Sequence, residues 1–248
     1  MEDGETTLGR QQMYDATGHT YEEGRYGSSH MRGYLETRND ALTGLLSEVA
    51  NGSAEIRVLD VGAGTGLTAS HVASLSDRYK VFATDFSWTM LDQATRRLRD
   101  VGDSRVAQAD ATRLPFPADT FDVVYATRFI HQFADKGPVV RELLRVTKPG
   151  GCLALEFYGR PYHWLRYFVT SRHQSRGAYL SHFPRRREVR ELMGKSARSV
   201  PLRVGGARFL ATVFGEDRLR RLTGASERFP LSVMVDEYFV FCRKPGRA

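Results

Sequence analysis

Cysteine and tryptophan are scarce, with two of each in 248 residues. Cys152 and Cys242 both sit in apolar, strand-like runs, which predicts small buried hydrophobes in a reducing cytoplasm rather than a disulfide. No cysteine pair has metal-ligand spacing and the seven histidines are scattered, so the sequence excludes a structural zinc site. No apolar run approaches the ~20 residues that a membrane span needs. The acidic start, MEDGE, has no apolar stretch behind it, and no signal peptide is expected. There is no internal repeat and no low-complexity segment.

What is present suits a soluble α/β domain. Hydrophobic content of 41% and charged content of 26% allow a chain of this length to bury a core unaided by disulfides or metal. The net charge of +7 is unevenly placed. Residues 160–222 hold 14 arginines and Lys195 against Glu188, Glu191, Glu216 and Asp217, so that segment carries +11 and the remainder −4. Such a face is either a solvated surface or a basic wall toward an anionic acceptor, nucleic acid or a membrane. Charge alone does not separate these.

Along the chain, residues 1–30 are polar and rich in Gly, Thr and Tyr, and read as a mobile arm. From Met31 a helical stripe runs through Leu35, Leu42, Leu45, Leu46 and Val49, with Gly52 as its C-cap. Strands are predicted at 56–61, 79–84, 105–109, 121–126 and 152–157. Helices are predicted from Leu67, over 87–99, and after Pro138 with Val139, Leu143, Leu144 and Val146. Lys148-Pro149-Gly150-Gly151 reads as a turn. This alternation predicts a parallel sheet covered on both faces, with Asp60, Asp85, Asp110 and Thr127 along the edge formed by the strands' carboxyl ends. The last third is less regular: helices over 161–170, from Pro184 with Val189, Leu192 and Met193, and over 216–222. β-prone runs at 200–214 are broken by Gly205-Gly206, and a terminal strand is expected at 233–242.

The chemistry gathers around VLDVGAGTG at 58–66. Glycines at 62, 64 and 66 let the chain turn sharply from strand to helix and admit a ligand against bare backbone. A glycine loop alone is a weak signal shared by many nucleotide-binding folds. Its context is a strand before, a helix after, and Asp85, 19 residues past Gly66, placed to accept from both hydroxyls of a ribose. The acid at Asp60 would repel a pyrophosphate but tolerates a ligand ending in an ammonium and a carboxylate.

VLDVGAGTG resembles the first motif of class I S-adenosylmethionine-dependent methyltransferases. The resemblance continues through ATDFSWTML (83–91), ADATRLPF (109–116), FDVVY (121–125) and RELLRVTKPGG (141–151), and covers roughly residues 56–157. It implies a Rossmann-like α/β fold with a mostly parallel seven-stranded sheet and an antiparallel final strand. It implies S-adenosylmethionine as cofactor, held by Asp60, Gly62, Ala63, Gly64 and Gly66, with Asp85 on the ribose. Phe86 and Met90 would pack on the adenine, Asp110 beside Ala111 would accept from its amino group, and Thr127 and Arg128 would complete the pocket. The domain would span 31–248, with 158–230 as an acceptor-side insertion or lid, and Tyr21 and Tyr26 of the arm (with Tyr14) closing over the cofactor.

Where the family commonly carries a paired histidine after its fourth strand, this chain has TRFIHQF at 127–133 with a single one. His131 is the base candidate, with helix capping or a carbonyl contact as the alternative. Methyl transfer from a sulfonium needs a base only for an acceptor that must lose a proton. Arg128 has two readings, a contact to the cofactor carboxylate or acceptor and a structural salt bridge. The segment 162–172 reads either as a packed helix or as a lid that touches a lipid substrate at a membrane surface. A small-molecule acceptor is the expectation. A nucleic-acid acceptor is disfavoured because no Asn/Asp-Pro-Pro-Tyr/Phe motif, paired cysteine nucleophile or separate RNA-binding module is present. A cofactor-binding protein without turnover stands as a third reading.

Overall fold

The computed structural model describes residues 29–50, 53–158, 184, 186–194, 197–203 and 237–246. Their order is α1 (Ser29–Val49), β1 (Ile56–Val61), α2 (Leu67–Leu75), β2 (Tyr79–Asp85), α3 (Trp88–Leu98), β3 (Asp103–Gln108) and β4 (Phe121–Ala126). A 3₁₀ turn (Ile130–Gln132), α4 (Gly137–Val146), β5 (Thr147–Tyr158), α5 (Arg186–Met193), β6 (Arg198–Arg203) and β7 (Glu237–Arg243) follow. The expectations for 1–28, 161–170, 205–222 and the Gly52 cap lie outside these residues, as do Tyr14, Tyr21 and Tyr26.

The seven strands form one sheet in the order β3-β2-β1-β4-β5-β7-β6. β1 to β5 pair in parallel, and β7 runs antiparallel to both β5 and β6. This is the Rossmann-like arrangement expected. Central strands are apolar almost throughout: in β1 only Arg57 is exposed, the pattern of a strand covered on both faces. β3 at the edge is half-exposed, which its DSRVAQ sequence tolerates.

Side-chain alternation divides the core in two. Val58, Val81, Val123, Ala154 and Phe239 face α1 and α2, where Leu42, Leu46 and Val72 meet them. Leu59, Val124, Leu153 and Val240 face α4 and α5, through Val139, Leu143 and Val189. Pro138 lies in the first turn of α4, where its missing N–H costs nothing.

One expectation is corrected. Lys148 to Gly151 is not a turn ahead of a strand at 152–157 but lies within β5, which begins at Thr147. The register jumps from Phe121↔Thr147 to Val123↔Cys152, so the four residues form an irregularity inside the ladder. Gly150 takes the left-handed φ of 78°. Its N–H donates to the Lys244 carbonyl, while the Lys244 N–H donates to Gly151, so β7's tail holds the kink closed.

The chain runs outward from β1 to β2 and β3, then crosses back to β4 and β5. That reversal leaves a crevice at the carboxyl ends of β1 and β4, the switch point where such sheets bind ligands.

Candidate cofactor site

A cleft of about 670 Å³, partly open to solvent, occupies that crevice. Its walls include the backbone of Gly62 to Thr65, Asp85, Met90, Thr127, Arg128 and Arg38. The loop after β1 is stitched to β2, since the N–H groups of Gly62 and Ala63 both donate to the Thr84 carbonyl at 2.8 and 2.9 Å. Gly62 has φ 70°, and a Cβ there would stand 2.2 Å from the Phe129 ring, so the ring's approach requires glycine. Gly66 lets α2 approach α3, since a Cβ would lie 2.9 Å from that of Ala94. Gly64 meets nothing within 4 Å, so the loop is bare on the side of the cleft.

Asp85 locks the site. Its Oδ2 accepts from Gly64 N–H at 2.8 Å and its Oδ1 from Ser87 N–H at 2.9 Å. A carboxylate oxygen can accept more than one hydrogen bond, the chemistry that a ligand diol needs. The Ser87 hydroxyl caps α3 by accepting from Met90 N–H at 3.3 Å, which seats Met90 in the pocket wall.

Asp60 lies beneath the loop with no exposure, its carboxylate toward the Tyr125 hydroxyl. Burial pushes its pKa up from the usual 3.8 to about 7, and Asp85 adds to the shift. The Tyr125 hydroxyl and the Arg38 charge oppose it. A buried carboxylate under a bare backbone loop, beside a second carboxylate placed for a diol, suits a nucleoside whose far end carries an ammonium.

The remaining predicted residues are placed as follows. Gly62, Ala63, Gly64, Asp85, Met90, Thr127 and Arg128 come together around the cleft, with Gly66 just behind the loop. Phe86, Asp110 and Ala111 are not among the lining residues. Asp110 is exposed and its Oδ1 accepts from both the N–H and the hydroxyl of Thr112 at 2.8 Å. Ala111 is buried in the second core cluster. His131 sits in the 3₁₀ turn, half-buried, its ring edge-on to Tyr158 at 4.7 Å.

Sequence reasoning missed a buried polar cluster next to the cleft. Tyr34 and Arg38 of α1 face Glu156 of β5 and Glu237 of β7, all nearly inaccessible. The Tyr34 hydroxyl donates to Glu156. The guanidinium carbons of Arg38 and Arg128 each lie 5.6 Å from the centre of the Tyr34 ring. Burial and the charge of Glu237 push the pKa of Glu156 up, against the two arginines. The signals were legible, because Arg38 stands three residues after Leu35 and four before Leu42 on an otherwise apolar stripe, and Glu156 interrupts CLALEFY.

Residues 59–155 match the methyltransferase domain family. This match, the fold and the glycine loop support a class I S-adenosylmethionine-dependent methyltransferase domain over that segment, about two fifths of the chain. The ubiquinone/menaquinone biosynthesis C-methyltransferase UbiE of Vibrio campbellii is 39% identical over 109 residues, 42% of either chain. That of Shewanella sediminis is 36% identical over 120 residues, 47% of this chain and 48% of its own. The chain thus matches less than half the length of these curated relatives. Among solved structures, Haemonchus contortus phosphoethanolamine N-methyltransferase 2 with bound S-adenosyl-L-methionine superposes with a TM-score of 0.61 at 20% identity. It covers 96% of this chain and 59% of its own. The [4+2]-cyclase SpnF gives 0.61 at 18% identity over 96% of both chains. Neighbours with such different names share the fold alone. Among the described residues no helix is long and apolar enough to cross a membrane, and no group of three or more side chains is placed to hold a metal ion.

Proposed function

We propose that the protein transfers a methyl group from S-adenosylmethionine to a small-molecule acceptor by in-line displacement. The observation that carries this reading is the Asp85 carboxylate pinned between the amides of Gly64 and Ser87, facing a bare glycine loop with a second carboxylate, Asp60, below it. Asp85 accepts from the ribose hydroxyls, Met90 gives the adenine an apolar wall, and Asp60 favours the ammonium end. Phe86, Asp110 and Ala111 border the adenine side as the ligand settles. The bound cofactor supplies a methyl group activated by its sulfonium. The chain's own task is to hold donor and acceptor at attack distance, which contributes roughly 7–11 kcal/mol, and to keep competing water out.

His131, beyond the end of β4, is assigned as the base for an acceptor that loses a proton. On the sequence alone, residues 158–230 are assigned to the acceptor side, and Tyr21 and Tyr26 of the arm to contacts with the cofactor. The arginine-rich stretch at 160–222 favours an anionic or lipid-like acceptor, reached in solution or at a membrane surface. Quinone precursors and phosphoethanolamine, named for the relative and the fold neighbour above, are the acceptor types to screen first. Two buried, unbridged cysteines favour the cytoplasm.

Calorimetric titration with S-adenosylhomocysteine, alongside NAD and the Asp85→Ala variant, tests the cofactor. Micromolar binding to wild type, at least tenfold weaker in the variant and absent for NAD, is expected. Folded protein that ignores the nucleoside would overturn the reading.

A further inference from the structure

The loop after β1 has three glycines in five residues, all at a left-handed φ between 55° and 77°. So freely hinged a stretch keeps a ligand-ready shape only where contacts from outside it fix the backbone. Ordering left undone is subtracted from binding. Two such contacts come from β2, through the Thr84 carbonyl and Asp85. A third comes from α3 and reaches the other end of the loop. Arg97 donates from Nη1 to the Thr65 carbonyl at 2.6 Å and to the Thr65 hydroxyl at 3.2 Å. Resting on the cofactor reading above, we propose that Arg97 is a positioning residue, which shapes the loop for the nucleoside before the ligand arrives.

The face that α3 turns to the loop explains why Arg97 reaches it. Met90, Ala94 and Arg97 stand at i, i+4 and i+7, which a helix places on one side. Met90 lines the cleft, and Ala94 meets Gly66 so closely that a Cβ on the glycine would lie 2.9 Å from its own. Arg97 follows on the same side, in the last turn of α3. The start of the helix is held as well, because the Ser87 hydroxyl caps it and the Ser87 N–H donates to Asp85. Asp85 thus holds Gly64 and the start of α3 at once, and Arg97 ties the end of α3 back to Thr65. Loop, carboxylate and helix form a closed ring around the cleft wall.

The hydrogen-bond accounting gives Arg97 its weight. The Ala63 and Gly66 carbonyls accept from the N–H groups of Gly66 and Ser70, so the chain satisfies them itself. The Thr65 carbonyl between them accepts from Arg97 instead. Thr65 is buried, where water does not readily replace a lost donor. A guanidinium on a carbonyl is charge-assisted and stronger than a neutral pair. Arg97 is not among the residues that line the cleft, so its influence on the ligand passes through the backbone it holds. Its neighbour Arg96 has a different task, an exposed ion pair with Asp92 one turn back.

The test compares three variants. Arg97→Met keeps the aliphatic stem and removes the donor, Arg97→Lys keeps a donor, and Arg96→Met is the control on the exposed pair. Titration with S-adenosylhomocysteine should show affinity about 5- to 20-fold weaker for Arg97→Met, within about twofold of wild type for Arg96→Met, and intermediate for Arg97→Lys. Amide hydrogen exchange of the ligand-free proteins supplies a readout that a general strut would not move. Arg97→Met should speed exchange at residues 62–66 about tenfold while the amides of β4 and β5 keep wild-type rates. Wild-type affinity in Arg97→Met would overturn the inference. So would weakened affinity with equal speeding in β4 and β5, which would make Arg97 a support of the whole fold. Arg97→Lys binding no better than Arg97→Met would also overturn it, since the donor would not be what matters. A wild type that ignores the nucleoside would overturn the cofactor reading instead, and exchange at 62–66 would still decide whether Arg97 holds the loop.

Discussion

Replacing Asp60 with asparagine should remove a pH dependence from the stability of the ligand-free protein. The carboxyl is wholly buried and its pKa rises from 3.8 to about 7. For an acid shifted upward, the folded state binds the proton more tightly than the unfolded state. The associated stability is complete below about pH 4 and is lost as pH climbs through 7. The displacement of about three pH units corresponds to about 4 kcal/mol in all at 1.36 kcal/mol per unit, and about 3 kcal/mol of it falls between about pH 5 and 9. Urea denaturation of wild type and Asp60→Asn at those two pH values reads the difference directly. The variant should lose about 3 kcal/mol less than wild type on going to high pH. The groups facing Asp60 set the sign: Arg38 and the Tyr125 hydroxyl favour the charged form, and Asp85 opposes it. They do not outweigh burial. Parallel stability curves for the two proteins would refute the argument and mean that Asp60 is solvated from the cleft. The same linkage makes the affinity of wild type for S-adenosylhomocysteine rise from about pH 6 to 8, since its ammonium favours the ionised carboxylate.

Two further perturbations separate the roles of neighbouring groups. Gly62→Ala places a Cβ 2.2 Å from the Phe129 ring at φ 70°, and should destabilise by about 2–4 kcal/mol in thermal or chemical melts. Gly64→Ala meets nothing, so it should cost only about 1 kcal/mol of left-handed strain while weakening nucleoside binding; equal destabilisation of the two would contradict the loop geometry. Burial pushes the thiols of Cys152 and Cys242 up to about 12 and about 11. A disulfide-exchange reagent should therefore label neither in the native protein and both after unfolding, and rapid native labelling would contradict their burial.

The order of strands and helices from β1 to β5 was legible because hydrophobic period and glycine punctuation agree there. β1 and β4 were bounded to the residue, and Ser87, where the helix was expected to begin, is the N-cap of α3. The KPGG stretch misled because a Pro-Gly-Gly run has the composition of a turn. Its extension as part of a strand depends on Lys244, 94 residues beyond Gly150, which no local pattern announces. The cleft's glycine loop and Asp85 were legible for the opposite reason, since their spacing is set locally by one β-α-β unit. Arg38, Tyr34, Glu156 and Glu237 come from three distant elements and meet only when α1 crosses the sheet. A charge on an apolar stripe signals that something buried awaits it, but not what.

The position of β7 bears on how the chain assembles. Among the described residues β6 joins the sheet through β7 alone, and β7 lies between β5 and β6. As synthesis proceeds, the β1–β5 half can pair with neighbours already made, whereas β5 keeps an open, apolar edge until residues 237–243 emerge. Lys244 then fastens the late strand: its Nζ donates to Asp119 at 2.6 Å and to the carbonyls of Leu144 and Thr147 at 2.8 and 2.7 Å. Closure of this sheet is thus a late, long-range event in folding, and the interval before it is when the unpaired edge of β5 is open to pairing with other chains.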